Sequence, residues 1–238
     1  MSILVKVAMM AVRPYVILSC ATSLDGFIDD MSDERLLLSN EADFDRLDEL
    51  RASCDAILIG ANTIRRDNPR LLVKSDARRQ DREARGLPPS PVKVTITGAT
   101  FDPDLRFFSS GGEKLVYSPD IVAERVQDSL GGRATVVGAG KETVDFIAML
   151  QDLVGRGIQR LMVEGGGAIH TQFLTQGLVD ELQLAIAPFF VGQVEAPRFV
   201  NPGVFPQDAQ HRMVVKETRQ IGDIVFVRYL VAERVNDA

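Results

Sequence analysis

Three consecutive glycines stand where an apolar strand pattern meets a helix pattern. Residues 161–170 read Leu-Met-Val-Glu-Gly-Gly-Gly-Ala-Ile-His, so the carboxylate of Glu164 directly precedes the glycines. Glycine lets a backbone approach a ligand closely, and free N–H groups at a helix N-terminus suit phosphate or pyrophosphate. In an open sheet this junction lies at the carboxyl end of a strand, where ligands usually bind. A flexible turn needs only one glycine, so the pattern favours a phosphate-binding site.

A second glycine pair, Gly138 and Gly140, also follows a strand pattern and precedes a helix pattern. It lacks the third glycine of the dinucleotide fingerprint and the four-residue spacing of a P-loop. An ordinary turn, with Thr143 as the helix cap, is at least as good an interpretation.

Charged side chains cluster after the strand pattern at 56–59, where Asp67 stands beside Arg65 and Arg66. A carboxylate next to two arginines stays ionised and can accept hydrogen bonds from a polar ligand. On charge alone, however, the better interpretation is a surface loop in which Asp67 caps a turn before Pro69.

Asp25 followed by glycine predicts a turn rather than a catalytic group.

Metal and nucleophile chemistry find little support in the sequence. The two histidines, His170 and His211, are far apart, and neither pairs with a cysteine at ligand spacing. The zinc-deaminase signature and the Gly-x-Ser-x-Gly elbow are both absent. We therefore expect no metal, and we interpret His170 as a residue on a helix surface, with a position beside bound phosphate as the alternative.

The chain of 238 residues is acidic, with 27 basic and 33 acidic side chains and a net charge of −6. This balance argues against binding to nucleic acid or to an anionic membrane. The segment 65–85 is the exception, because it holds eight basic and four acidic residues. This basic segment requires an explanation.

The two cysteines cannot build a disulfide framework, which fits a reducing cytoplasm. Residues 1–12 are apolar but too short to span a bilayer. We interpret them as a ragged N-terminal tail or as the result of a misassigned initiation codon, since Met9 and Met10 lie close by.

Short apolar β-rich runs alternate with helical periodicity, which predicts a mixed, mostly parallel central sheet with helices on both faces. The last two runs flank Gly222-Asp223 and predict an antiparallel C-terminal hairpin. Residues 76–91, charged and then proline-rich, are interpreted as an insertion loop within a single domain, 1–238. The predicted strands are Tyr15–Cys20, Ala56–Ile59, Val92–Thr97, Lys114–Tyr117, Thr135–Val137, Arg160–Val163, Glu181–Ala187, Met213–Gln220 and Ile224–Val231. Helical patterns are centred on 44–50, 121–126, 144–154 and 169–175.

Taken together, these segments resemble the reductase domain of riboflavin biosynthesis, the carboxy-terminal half of bifunctional deaminase–reductases, which has a dihydrofolate-reductase-like α/β fold. The resemblance runs from about Arg13 to about Ala232. The segments that carry it are 23–26, 51–58, 63–71, 163–167 and 177–182, followed by Ala187-Pro188. No one of them is decisive, but five in order make a specific match.

The resemblance implies an NADPH-dependent reduction of the ribosyl group of 5-amino-6-(5-phosphoribosylamino)uracil to ribityl. Hydride from the nicotinamide would reach C1′ of the opened sugar, and the protein would supply positioning and electrostatics. A cytoplasmic homodimer, with a phosphorylated small molecule as substrate, is the corresponding expectation. The deaminase half is missing, which implies a stand-alone reductase.

The resemblance also assigns roles to individual residues. Asp67 matches the catalytic aspartate, expected to contact the ligands where hydride transfers. The substrate contacts are matched by Arg51, Leu71, Lys74 and Glu164. The cofactor contacts are matched by Ala21, Thr63, Asp67, Gly166, Gly167, Ala168, Ile169, His170, Thr171 and Gln172.

Three positions depart from the family pattern. Many members carry lysine, serine and tryptophan where this chain has Ser19, Arg35 and Leu37. Arg35 either replaces the missing positive charge or is simply solvated. A reductase of another pterin, pyrimidine or small carbonyl compound, and a nucleotide-binding protein without turnover, therefore remain alternatives.

The basic segment thus divides in two. Its first part, Arg65 to Lys74, brackets Asp67 and is predicted to lie over a site for a phosphorylated substrate. Its second part, Arg78 to Arg85, has no matched role and is interpreted as a solvated loop.

Overall fold

A computed structural model describes residues 13–32 and 34–231. The predicted tail, 1–12, lies outside the described residues. The described strands are β1 (Tyr15–Thr22), β2 (Ala56–Gly60), β3 (Val92–Ile96), β4 (Lys114–Ser118), β5 (Thr135–Gly138), β6 (Arg160–Gly165), β7 (Glu181–Ile186), β8 (Val214–Ile221) and β9 (Ile224–Leu230). The described helices are α1 (Glu41–Ser53), α2 (Ala61–Asp67), α3 (Asp76–Ala84), α4 (Arg106–Ser109), α5 (Asp120–Leu130), α6 (Phe146–Gly155) and α7 (Gly167–Thr175).

The strands form one mixed sheet in the order β5-β4-β3-β2-β6-β1-β7-β9-β8. Parallel pairing joins β2 to β3, β3 to β4, β4 to β5 and β1 to β7, whereas β9 pairs antiparallel with both β7 and β8. The predicted α/β fold, mostly parallel with an antiparallel C-terminal hairpin, is confirmed. Each of the nine predicted strands is present. β1 and β2 are largely apolar and buried, as their sequence runs predict, whereas β5 and β8 at the two edges of the sheet are exposed or half-buried.

The chain divides into two compact units. The first comprises residues 51–161 with the described residues up to 15, and the second comprises 16–50 and 162–231 apart from residue 33. The single domain expected from the sequence stays a prediction. Each unit is described below by itself.

In the first unit, β2, β3 and β4 carry a core of apolar side chains that are almost fully inaccessible to solvent. Ile57, Leu58, Val94 and Val116 are all at 0% exposure. The buried Tyr117 on β4 donates its hydroxyl hydrogen to the carboxylate of Asp152 on α6, at 2.6 Å. This hydrogen bond satisfies a phenol that would otherwise be buried without a partner.

The segment interpreted as a loop, 76–91, contains helix α3, so that interpretation is wrong. Ser75 caps the helix by accepting a hydrogen bond from the backbone N–H of Arg78. The solvated-loop interpretation of Arg78–Arg85 fails for the same reason. Arg79 and Arg85 pair with Asp76 and Asp81 on the surface of α3, and Arg82 is 1% exposed.

Lys93 on β3 is a buried cation with no carboxylate partner among the described residues. Its ammonium donates to the hydroxyl of Ser110 at 2.6 Å and to the carbonyl of Phe107 at 3.2 Å. Burial, reinforced by repulsion from Lys114, lowers the pKa of Lys93 to about 8. The folded state therefore loses this proton at a lower pH than the unfolded chain, whose lysines titrate near 10.4.

We expect the free energy of unfolding of the wild type to rise, relative to that of Lys93→Met, as the pH increases from about 8 to about 10. In this window the unfolded state binds more protons than the folded state, so stability increases with pH, by at most about 1.4 kcal/mol per pH unit. Urea denaturation of both proteins at several pH values measures the difference and cancels the titration of all other groups. A difference that is flat or falls with pH would contradict the assignment.

In the second unit, a buried polar chain connects α1 to β7 and β9. Arg46 donates to Asp43 at 2.7 Å and to Gln183 at 2.8 Å, and Gln183 donates to Glu181 at 2.7 Å. Arg228 on β9 forms two hydrogen bonds to the Glu181 carboxylate, at 2.7 and 2.8 Å. Paired and hydrogen-bonded in this way, the buried charges avoid the large cost of an isolated ion.

Candidate functional site

Helix α7 begins directly after β6 and leaves the backbone N–H groups of its first turn without a side-chain cap. Its N-cap residue, Gly166, has φ 92°, which favours glycine, and no acidic residue stands in the first turn. In contrast, the side chain of Asp145 caps α6 by accepting from the N–H groups of Ile147 and Ala148. An uncapped N-terminus of this kind presents donors and positive potential to an anion. The segment therefore fits a phosphate group.

Gly167 is required by a close approach of the chain to itself. A Cβ atom at this position would overlap the backbone carbonyl oxygen of Arg198. One of the three glycines is thus explained by packing, and Gly166 by its backbone conformation. The ligand-binding role of Gly166, Gly167, Ala168 and Ile169 stays a prediction.

His170 is fully buried, so the expectation of a helix-surface histidine is wrong. Its Nδ1 atom lies 3.0 Å from the carbonyl oxygen of Phe199, which only accepts, so Nδ1 carries the hydrogen. Burial lowers the pKa of His170 to about 4 and keeps the ring neutral. The imidazole thus holds the chain near Phe199 and is not presented to a ligand.

Thr171, another predicted cofactor contact, connects α7 to the same segment. Its hydroxyl donates to the carbonyl of Gly167 at 2.6 Å and accepts from the backbone N–H of Asn201 at 2.8 Å. Gln172, one residue further on, lies on the same helix and accepts from the side chain of Gln176 at 3.1 Å.

Glu164 and Ala21 lie near the carboxyl ends of neighbouring strands in the second unit. Glu164 is the penultimate residue of β6, and Ala21 is the penultimate residue of β1, the next strand in the sheet. Both are partly exposed. The structure thus brings the predicted cofactor contact of β1, the predicted substrate carboxylate and the start of α7 to one end of the sheet in this unit.

Thr63 and Asp67 lie on α2 in the first unit, four residues apart and therefore on one face of the helix. The surface loop expected here is a helix, and Asn68, not Asp67, forms the cap. Asn68 adopts a left-handed conformation, with φ 43° and ψ 55°, and its side chain and carbonyl bind the backbone and side chain of Arg106 at 2.6 and 2.7 Å. Asp67 is partly exposed at the end of α2.

The predicted substrate contacts of the first unit lie before and after α2 along the chain. Arg51 lies in the last turn of α1 and is half-buried. Leu71 is 4% exposed and has φ 48°, a strained conformation for a leucine. Lys74 is exposed, and its carbonyl accepts from Arg79 at 2.7 Å.

Arg65 is a candidate ligand contact to which sequence reasoning assigned no role of its own beyond membership of the basic segment. Its guanidinium lies 4.5 Å from the centre of the Phe101 ring and donates to the hydroxyl of Thr97 at 3.4 Å and the carbonyl of Thr100 at 3.2 Å. No carboxylate pairs with it within residues 13–32 and 34–231. The contacts come from the segment after β3, about 35 residues away, so no local pattern in the sequence indicated them.

The second glycine pair has a packing role. A Cβ atom at Gly138 would overlap the carboxylate of Asp120, and Gly140 has φ 101°. The turn interpretation is supported, but the predicted cap at Thr143 is wrong, because α6 begins at Phe146 and Asp145 caps it.

The three departures from the family pattern lie in the second unit. Ser19 is 2% exposed, and its hydroxyl has no hydrogen-bond partner among the described residues. Arg35 and Leu37 are exposed, with Leu37 at 68%. A solvated Arg35 agrees with one of the two expectations for this residue.

No described helix is long and apolar enough to cross a membrane. Across the same described ranges, no group of three or more histidine, cysteine, aspartate or glutamate side chains could hold a metal ion.

Sequence comparison supports the predicted family. A family model described as the RibD C-terminal domain matches residues 14–227. The 2,5-diamino-6-ribosylamino-4(3H)-pyrimidinone 5′-phosphate reductase of Methanothermobacter thermautotrophicus is 38% identical over 223 residues, which are 92% of this chain and 99% of the relative. The enzyme of the same name from Archaeoglobus fulgidus is 38% identical over 186 residues, covering 78% of this chain and 85% of the relative.

Solved structures share the fold. A pyrimidine reductase-like protein from Corynebacterium diphtheriae superposes with a TM-score of 0.72 at 23% identity, covering 94% of each chain. A bifunctional deaminase/reductase from Thermotoga maritima gives 0.70 at 20% identity over 92% of this chain and 57% of that chain.

Fold and relatives together define a reductase with a dihydrofolate-reductase-like fold. The chain belongs to the RibD C-terminal domain family. The predicted family, fold class and assignment as a riboflavin-biosynthesis reductase are thereby confirmed.

Proposed function

We propose that this protein uses NADPH to reduce the ribosyl group of 2,5-diamino-6-ribosylamino-4(3H)-pyrimidinone 5′-phosphate to ribityl. The start of α7 supports this proposal most strongly, because its glycine N-cap, its uncapped N–H groups and the absence of acidic residues in its first turn suit a phosphate group. When bound, the nicotinamide would supply the hydride. The full-length relatives that carry this reductase name support the choice of pyrimidine.

The chain's own residues bind and orient the two ligands in this proposal. Residues 166–169 bind the cofactor phosphate groups at the start of α7, His170 and Thr171 hold this segment in place, and Ala21 and Thr63 contact the cofactor from β1 and α2. Asp67 contacts the ligands at the reacting carbon, and Glu164 accepts hydrogen bonds from the substrate. A correct orientation of the reacting groups supplies much of the rate enhancement in such a reaction.

In this proposal, basic side chains of the first unit bind the phosphate group of the substrate. Arg51 and Lys74 are suited to the anionic end of the substrate, and Leu71 to an apolar contact. This role also explains the first half of the basic segment, because local positive charge attracts anionic ligands without making the whole protein a nucleic-acid binder.

The deaminated pyrimidine, 5-amino-6-(5-phosphoribosylamino)uracil, is the second candidate substrate. The sequence resemblance implies it, and the Thermotoga maritima structural relative is named as a reductase of this compound. Both candidates undergo the same chemical change at the ribosyl group.

Initial rates of NADPH oxidation with each pyrimidine test the proposal. We expect measurable turnover of both compounds, with the higher kcat/KM for the diaminopyrimidinone. A higher kcat/KM for the uracil would assign the enzyme to the second candidate. Absence of turnover with either compound, in protein shown by circular dichroism to be folded, would contradict the proposed function.

The position of Arg65 supports the proposal that the cofactor is NADPH rather than NADH. NADPH differs from NADH by a 2′-phosphate, which an arginine in dinucleotide-binding proteins commonly accommodates. Arg65 shares α2 with Thr63, is exposed, and is held in place by an aromatic ring and two oxygen acceptors.

Arg65→Met is expected to lower kcat/KM for NADPH by about tenfold or more, since it removes a charge-assisted contact to phosphate. The value for NADH should change by less than about twofold, because NADH lacks that phosphate. Arg133→Met, which removes an exposed arginine paired with Asp104, is the matched control. Equal losses with both cofactors would contradict the assignment.

We further propose a homodimer in the cytoplasm, with no nucleic-acid partner. The sheet ends at β8, an edge strand whose Val214 and Val215 are exposed, as is Val225 on the neighbouring β9. Exposed apolar side chains on an edge strand favour association. The two cysteines, both free and buried, support a reducing compartment.

A further inference from the structure

The carboxylate of Asp25 is the centre of a hydrogen-bonded turn after β1. It accepts from the backbone N–H groups of Val191 at 3.1 Å and Gly192 at 2.8 Å, and from the hydroxyl of Ser23. Desolvation alone would raise the pKa of Asp25, but these hydrogen bonds outweigh it and lower the pKa to about 2. The turn predicted from Asp25-Gly26 is therefore present, and its carboxylate also fastens the segment after β7.

The same turn is joined by backbone hydrogen bonds to a second segment, residues 197–199. The carbonyl of Gly26 accepts from the N–H of Phe199 at 2.9 Å, and the N–H of Ile28 donates to the carbonyl of Pro197 at 2.8 Å. Between these bonds, Phe27 forms an antiparallel bridge with Arg198, whose guanidinium lies 4.3 Å from the centre of the Phe27 ring.

Residues 198–201 in turn lie against the first turn of α7. The carbonyl of Arg198 occupies the space that a side chain at Gly167 would need. The neutral imidazole of His170 is hydrogen-bonded to the carbonyl of Phe199, and the hydroxyl of Thr171 accepts from the N–H of Asn201. Thus a continuous series of hydrogen bonds and close contacts, all within the second unit, runs from Asp25 to the helix start.

We propose that Asp25 is a positioning residue that sets the affinity for the cofactor through residues 197–201, without touching the cofactor. The inference rests on the proposed function, because it takes the start of α7 as the cofactor phosphate site. A carboxylate that accepts two backbone N–H groups and a hydroxyl fixes the turn more firmly than a neutral acceptor. The fixed turn holds residues 197–201, and these hold the start of α7.

Asp25→Asn is the test variant, because it keeps the shape but replaces one acceptor oxygen by an amide donor facing a backbone N–H. The matched control is Asp208→Asn, since Asp208 also accepts from two backbone N–H groups, those of Gln210 and His211, in an exposed turn of the same unit. Two quantities are measured on all three proteins: the Kd for NADPH, and the rate of hydrogen exchange at the hydrogen-bonded amides of Phe199, Asn201 and His170.

Asp25→Asn is expected to weaken NADPH binding by about tenfold, equivalent to the loss of one charge-assisted hydrogen bond. It should also speed hydrogen exchange at the amides of Phe199, Asn201 and His170, and raise KM for NADPH more than it lowers kcat. The control, Asp208→Asn, should give wild-type values. Unchanged exchange at the amides of Phe199 and Asn201 in Asp25→Asn would overturn the inference, whether or not the protein binds NADPH. Faster exchange with an unchanged Kd would also overturn it, because the turn would then not act on the site.

A wild type that does not bind NADPH would instead refute the proposed function and, with it, the role inferred for Asp25. Ser23→Ala covers the case in which Asp25→Asn fails to fold. It removes the hydroxyl that donates to Asp25 and accepts from the backbone N–H of Phe27 in the same turn, and it keeps the carboxylate with its two backbone bonds. We expect it to change exchange and Kd in the same direction but by a smaller factor. Wild-type values for both quantities in Ser23→Ala, together with a misfolded Asp25→Asn, would overturn the inference.

Discussion

Replacing Asp67 with asparagine is expected to lower kcat by at least about a hundredfold, because it removes the charge of the carboxylate proposed to contact the ligands where hydride transfers. Asparagine has nearly the same shape but carries no charge and cannot take up a proton. Asp67 ends α2, where Asn68 and not Asp67 forms the cap, so the helix should persist in the variant. Steady-state rates of NADPH oxidation with the pyrimidine substrate measure the effect.

Asp81→Asn is the matched control for this variant. Asp81 belongs to the same basic segment, is 69% exposed, and pairs with Arg85 on the surface of α3. Its replacement should leave kcat within about twofold, as for other exposed ion pairs. If Asp67→Asn retains most of its activity, Asp67 does not act at the reacting carbon, and the proposed catalytic role is refuted.

The largest loss of stability is expected for Arg82→Ala, at about 3 kcal/mol or more of unfolding free energy. The buried guanidinium donates to the carbonyls of Ala52, Cys54 and Pro88 at 2.7 to 2.8 Å. Alanine would leave three carbonyl oxygens without this donor and open a cavity below α3. Urea denaturation, followed by circular dichroism, measures the change.

Arg85→Ala separates the effect of burial from the loss of a positive charge. Arg85 lies on the same helix, is 51% exposed, and should change the unfolding free energy by less than about 1 kcal/mol. Equal and small effects of the two substitutions would show that Arg82 does not anchor α3 in solution.

The strands were predictable because their signal is local. Runs such as Ala56–Ile59 and Leu161–Val163 are continuous, apolar and buried, as is typical of strands in a parallel sheet. The hairpin was equally clear, since Gly222 has φ 64° in the turn between β8 and β9. Helices α1 and α5 to α7 were indicated by apolar residues at helical spacing.

Helices α2 and α3 were missed for a physical reason. The pattern that reveals an amphipathic helix is a row of apolar side chains, and each of these helices buries a single residue: Ile64 in α2 and Arg82 in α3. In α3 that residue is a charged arginine, so the sequence of this segment is typical of a solvated loop. The stabilising acceptors of Arg82 lie about 30 residues away in Ala52 and Cys54, beyond the reach of any local pattern.

The candidate site was predictable only in part. The three glycines and the strand before them indicated the start of α7, and the family resemblance supplied Asp67 and Glu164. The contacts of residues 198–201 with Gly167, His170 and Thr171 could not be inferred, because they join segments about 30 residues apart. For the same reason the buried state of His170 was not foreseen.

In the proposed reaction, the chain directs hydride from NADPH to the ribosyl carbon C1′ of a phosphorylated aminopyrimidine. The most direct test is to run the reaction with NADPH deuterated at C4 of the nicotinamide, on each face in turn, and to locate the label by mass spectrometry and NMR. We predict one deuterium at C1′ of the ribityl product from one of the two labelled cofactors. A ribityl product without deuterium from either cofactor, or with deuterium at another carbon, would refute hydride transfer from NADPH to C1′.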